Sequence, residues 1–151
     1  ITPGFVDLHL HAPQYSYCGT AMDLELLDWL NTYTFPQEAR YADTEFAKEA
    51  YSIFVEDMKK SPNTRACIFG TLHVPATEIL MEQLDKTGMK TMVGKVNMDR
   101  NGSPELQEES AQASADATVK WLEDTLTKFE NVKPILTPRF TPNGPQTKRL
   151  P

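Results

Sequence analysis

Cysteine is nearly absent from this chain. Cys18 and Cys67 are the only two in 151 residues, far apart and outside any Cys-x-x-Cys pattern. That leaves no disulfide framework to read, and both fit plain thiols of a reducing, cytoplasmic setting. Positive charge is also short. Fifteen Lys and Arg against 21 Asp and Glu give a net charge of −6 and a pI near 5.0, with no basic run. This argues against a nucleic-acid partner. No apolar stretch approaches the ~18 residues that span a bilayer, so no membrane partner is expected. No signal-peptide pattern is visible, and the first residue, Ile1, is not Met, so a segment before it is expected to be missing. No Gly-rich phosphate loop follows any strand-like run. Histidine is scarce as well, three in all, yet two of the three lie two residues apart.

Those two, His9 and His11, end the run Phe5-Val6-Asp7-Leu8-His9-Leu10-His11 behind Pro3-Gly4. Side chains on a strand alternate faces, so both imidazoles point the same way, ~7 Å apart along the strand. Val6, Leu8 and Leu10 point the other way and are candidates for burial. Two imidazoles on one face can reach one metal ion at ~2.0–2.1 Å per Zn–N bond. A strand end carrying such a pair indicates a hydrolytic metal site.

Strand-like runs lie at about Phe5–His11, Arg65–Thr71, Lys90–Met98 and Val132–Phe140. Asp23 is placed to cap a helix over Leu24–Asn31. Asp43 is placed to cap Thr44–Lys60, with Phe46, Ala50, Phe54 and Met58 as its apolar stripe. A third helix covers about Ala76–Thr87 with Gly88 at its end. A fourth runs from about Pro104 to Glu130 behind Ser103, with Val119, Leu122, Leu126 and Phe129 as its later stripe. Strands alternating with helices make a parallel sheet with helices outside it, in a doubly wound fold or a (β/α)8 barrel. The missing phosphate loop favours the barrel. So do the chemically loaded residues His9, His11, His73, Asn97 and Arg139, which sit at or just past the C-terminal ends of strands, where barrel enzymes build their sites. A complete barrel needs ~250 residues and eight strands. The chain therefore reads as α/β, the first half of a (β/α)8 TIM-type barrel with about four βα units.

Longer strings sharpen this reading. Pro3–His11 is similar to the first barrel strand of the amidohydrolase superfamily, a metallo-dependent hydrolase type. His11-Ala12-Pro13-Gln14-Tyr15-Ser16-Tyr17, Trp29–Pro36, Val93–Asp99 and Thr137-Pro138-Arg139-Phe140 together resemble the guanine deaminase branch of that superfamily. The resemblance covers Thr2 to about Pro142. It implies one Zn2+ per site, hydrolysis of guanine to xanthine and ammonia, a purine-breakdown or salvage role, and a cytoplasmic homodimer. Carried over by position, His9 and His11 match the first two metal ligands. His11, Ala12, Pro13 and Gln14 match one substrate-binding segment, and Arg139 and Phe140 a second. The remaining metal ligands, two histidines and an aspartate, come in this family from later strands, and the proton-shuttling glutamate from a His-x-x-Glu segment. None is present, so no catalytic residue is assigned here. The other zinc deaminase pattern, His-x-Glu with Pro-Cys-x-x-Cys, is absent too.

The resemblance divides the chain into residues 1–142, an N-terminal half of an amidohydrolase barrel, and 143–151, an atypical and unstructured tail. His73 reads as supporting rather than catalytic, and Asp7 as a structural hydrogen-bonding group. Trp29 and Phe35 fit a lid over the base or plain packing equally well. Glu25, Asp28 and Glu38 read as solvated, and Glu108-Glu109 as an ordinary acidic pair. Two rival readings are a related amidohydrolase acting on another amino-heterocycle and a truncated, non-catalytic half-barrel. The chain alone is expected to be inactive, and oligomeric or poorly soluble, because a half-barrel leaves open edges and an uncovered inner face. Two ligands should also hold zinc only weakly. Light scattering with a thermal melt, and metal analysis after dialysis, check both points. A sharp monomer with a cooperative transition, or stoichiometric zinc retained, contradicts them.

Overall fold

In the computed structural model, which describes residues 1–139, the chain forms β1 (Phe5–His11), α1 (Leu26–Trp29), α2 (Phe35–Ala39), α3 (Thr44–Lys60), β2 (Asn63–Phe69), α4 (Val74–Asp85), β3 (Lys90–Gly94), β4 (Val96–Asn97), α5 (Ala111–Thr125), β5 (Val132–Pro134) and β6 (Thr137–Pro138). Strands β1, β2, β3 and β5 are hydrogen-bonded in that order, each pair parallel. The β4–β6 pair is parallel too and prolongs β3 and β5. Parallel neighbours joined by helical crossovers are the opening units of a βα barrel. The expected runs Lys90–Met98 and Val132–Phe140 are each broken in two, and Phe140 and the 143–151 segment lie outside the described residues. Among the described residues no helix is long and apolar enough to cross a membrane.

One face of the sheet is dry. Ala66, Ile68, Val93 and Val132 meet Ala47, Tyr51, Phe54, Val55 and Met58 of α3, and Ala76, Leu80, Met81 and Leu84 of α4, in one buried cluster. Asp43 caps α3 as expected, its Oδ1 accepting from Glu45 N at 2.8 Å and Phe46 N at 3.3 Å. The buried stripe of α3 is turned slightly from the expected one. Tyr51 goes inward, while Phe46 and Ala50 sit at the margin, because Tyr41 packs its ring between Phe46 and Tyr51 at 5.1 and 4.8 Å.

Three expectations are corrected. Asp23 caps nothing: the first helix starts after Glu25, which makes no side-chain cap, and runs through a π turn at Leu30–Thr34 into α2. Pro36 has no N–H to close a regular helical bond, which fits the wider turn just before it.

The expected helix from Pro104 to Glu130 is two pieces, a 3-10 turn at Pro104–Leu106 and then α5, capped by the Ser110 hydroxyl accepting from Ala113 N at 3.1 Å. Glu108 holds the segment between them off the helical path. Its carboxylate takes the Lys95 ammonium, Met98 N (2.9 Å) and the Ser114 hydroxyl (2.6 Å). The buried side of α5 is accordingly Ser114, Thr118, Trp121 and Thr125, with Val119 and Leu126 exposed. The Asn97 amide donates to the Ser114 and Thr118 hydroxyls at 2.7 and 2.8 Å, so these two buried hydroxyls are paired.

Val6 and Leu8 are not buried either, at 53% and 73% exposure. The β1–β2 register slips between Asp7 and Leu10, and such a bulge changes which face a side chain meets. Leu10 packs toward the core, whereas Val6 and Leu8 line an open hollow of about 450 Å³ with Arg65, Cys67, Met92 and Lys133.

Lys95 is 1% exposed. Burial pushes its ammonium pKa down, and the bond to Glu108 works against that. Removing one partner of a buried pair strands the other. Glu108→Ala should lower the unfolding free energy by about 3–5 kcal/mol, and the exposed Glu109→Ala by less than about 0.5 kcal/mol. Denaturant titration of the two variants checks the contrast, and equal small losses contradict it.

Candidate metal and substrate site

At the C-terminal end of β1 the two imidazoles converge. His9 Nε2 and His11 Nε2 lie 3.3 Å apart, with ring centroids at 5.1 Å. Phe69 supports both. It pairs with His11 in register across β2 and stacks on it at 4.4 Å and 20°, while its centroid is 4.9 Å from that of His9. Asp7 Oδ1 accepts from the His9 backbone N–H at 3.1 Å, within the bulge. His11 Nδ1 is buried with no partner among the described residues.

The geometry fits a tetrahedral metal. Two nitrogens bound at ~2.0–2.1 Å and subtending a tetrahedral angle are about 3.3–3.4 Å apart. Burial first, then the Arg139 cation and His9, pull the His11 pKa down to about 4. His11 is therefore neutral at pH 7, the form that ligates metal. Among the described residues no group of three or more His, Cys, Asp or Glu is arranged to hold a metal ion.

The chain turns sharply after His11. A 3-10 turn covers Ala12–Tyr17 with Pro13 in its first turn; Ala12 and Pro13 are buried and Gln14 is half-buried. Tyr41 donates its hydroxyl to the Pro13 carbonyl at 3.4 Å. Gln14 Nε2 donates to Glu38 Oε1 at 3.2 Å. Arg139 arrives from the end of β6 and forms a bidentate pair with the same carboxylate, Nη2 to Oε1 at 2.8 Å and Nη1 to Oε2. The Arg139 guanidinium carbon is 5.7 Å from the centroid of the Phe35 ring. Gly94 lets this strand end come close, because a methyl group there would overlap Thr137. Burial, then the Glu38 charge, raises the phenol pKa of Tyr17 and Tyr41, and burial, then Tyr41 and Glu38, raises that of Tyr51.

His9, His11, Ala12, Pro13, Gln14 and Arg139 thus gather at one end of the sheet. Phe140 lies outside the described residues. His73 does not join them. Its Nε2 is buried and unpartnered among the described residues, and its pKa is lowered by burial, with Glu108 and Lys95 as its charged neighbours. Asn97 is spent on α5. Trp29 donates to the Thr20 carbonyl at 3.0 Å and packs beside Leu30 and Phe35.

Glu38 is the residue that sequence reasoning missed. Expected to be solvated, it is 1% exposed. One signal was available: it follows buried Leu30 and Thr34 at successive intervals of four, on their helical stripe.

A parallel βα sheet with paired imidazoles at its C-terminal end is the design of a barrel-type, metal-dependent hydrolase. The amidohydrolase family model matches residues 1–147, and the chain belongs to that family. It is 46% identical to the guanine deaminase of Rattus norvegicus over 140 residues, which is 92% of this chain and 31% of that protein. The guanine deaminase of C. acetobutylicum, solved with guanine in its active site, superposes with a TM-score of 0.89 at 44% identity, over 93% of this chain and 33% of that one. The E. coli guanine deaminase superposes with a TM-score of 0.81 at 35% identity, over 95% and 31%. The chain therefore spans about a third of the relatives it matches.

Proposed function

We propose that this chain is the first part of the barrel of a zinc-dependent guanine deaminase, which hydrolyses guanine with water to xanthine and ammonia. The observation that carries the reading is the contact chain His9–His11–Ala12–Pro13–Gln14–Glu38–Arg139, which joins a metal-type imidazole pair to a cluster of planar hydrogen-bonding groups. Relatives that are guanine deaminases match it over more than nine-tenths of its length.

His9 and His11 would hold the zinc. Bound there, the metal supplies a Lewis acid that makes water nucleophilic at neutral pH. The Gln14 amide and the Arg139 guanidinium recognise the polar edge of the base. Ala12 and Pro13 wall the pocket, and Phe140 gives apolar contact with the flat ring. The carboxylate that carries the proton to the departing ammonia is not assigned to this chain: Glu38 is committed to Arg139 and Glu108 to Lys95. The complete enzyme is proposed to be a cytoplasmic homodimer in purine breakdown or salvage, with guanine as its partner and neither nucleic acid nor membrane. The open hollow beside Val6, Leu8 and Met92 favours one second reading, that the chain alone is a non-catalytic half-barrel.

The test is ammonia release from guanine by the complete protein carrying this sequence. Wild type should yield xanthine, His9→Ala and His11→Ala should abolish turnover, and Gln14→Ala should raise KM about 5–30-fold, the loss of one hydrogen bond worth ~1–2 kcal/mol. The isolated chain should be inactive. Turnover of another amino-heterocycle in place of guanine overturns the reading.

A further inference from the structure

We propose that Glu38 is a positioning residue that sets the hydrogen-bonding polarity of the substrate pocket, turning the Gln14 amide so that it offers an acceptor while Arg139 offers donors. The inference rests on the guanine reading above and says which edge of the base the pocket accepts.

Glu38 lies on α2, 24 residues from Gln14 and 101 from Arg139, and is almost completely buried. An ionised carboxylate only accepts hydrogen bonds. Facing it, the Gln14 amide has one tolerable orientation, with its NH2 toward Glu38 Oε1 at 3.2 Å. The flipped amide would set oxygen against oxygen in a site shielded from water, where unpaired lone pairs are costly. Gln14 Oε1 is therefore turned away from Glu38 and takes no protein donor among the described residues. Arg139 is held by both terminal nitrogens, one N–H from each going to Glu38. A guanidinium carries five N–H groups, so donors remain for a ligand. One carboxylate thus anchors both groups and fixes their polarity.

An acceptor beside donors has a definite complement. Guanine presents a ring N–H donor next to a carbonyl acceptor on its six-membered ring. Adenine presents the reverse there, a ring nitrogen acceptor next to an amino donor. A pocket built to hydrogen-bond one pattern rejects the other strongly, because its buried groups would be left unpaired. Glu38 makes Gln14, otherwise ambivalent, into a selective reader.

The experiment compares wild type, E38Q and E38D in the complete deaminase, with guanine as substrate and adenine as competitor. E38Q should lower kcat/KM for guanine about 10–100-fold, mainly through KM, as expected when bonds to a charged group worth ~1.5–3 kcal/mol are lost. Adenine should inhibit it more strongly than wild type, and bound zinc should stay unchanged. E38D keeps the charge on a stem one methylene shorter and should fall between the two. In a Gln14→Ala, Arg139→Ala background the E38Q effect should vanish, since Glu38 acts through those groups. A lower Tm for both variants, with guanine KM and adenine inhibition unchanged, overturns the proposal; should E38Q not fold, E38D with a wild-type KM does the same. A wild type that leaves guanine untouched fails the function reading itself, and is told apart from failure of the Glu38 role by that control.

Discussion

A carboxylate taken out of water must be paired, and the pairing of Glu38 organises the C-terminal end of this sheet. Its two oxygens take three N–H groups from chain segments far apart in sequence. Such a pair adds little to net stability, since desolvation offsets most of the attraction. What it does is tie the turn after β1 to the end of β6, since Gln14 and Arg139 share its carboxylate. The Arg139 charge it holds in place also reaches His11, reinforcing the neutral imidazole that burial already favours. One buried ion pair thereby links the Gln14 and Arg139 side chains to the surroundings of His11.

The same principle recurs on the neighbouring strand. Lys95 and Glu108, with Asn97, Ser114 and Thr118, form a second buried polar network where β3 gives way to β4. That network breaks the strand and shortens the following helix, and it buries a helix face rich in hydroxyls. Neither network is the apolar core, which lies on the helix side of the sheet. Buried polar networks thus gather at the C-terminal strand ends and apolar burial lies behind the sheet.

The alternation of elements, the parallel order and the imidazole pair were legible in the sequence, because period-2 and period-3.6 patterns and a His-x-His on a strand are local signals. The α3 cap at Asp43 was legible for the same reason. What escaped was non-local. The β1 bulge exposes Val6 and Leu8 through register with β2, which no pattern within β1 reveals. The burial of Ser114 and Thr118 depends on an amide 17 and 21 residues away. Glu38 looked solvated because its cation lies 101 residues further on. Gln14 and Arg139 were singled out one by one, through resemblance. That they share a single carboxylate is visible only in three dimensions.

The most direct measurement is a crystal structure of the complete protein with zinc and guanine. This account predicts a metal on His9 Nε2 and His11 Nε2, and the base edge against Gln14 Oε1 and Arg139, with both side chains still hydrogen-bonded to Glu38. A metal held elsewhere, or a base bound away from Gln14 and Arg139, would contradict it.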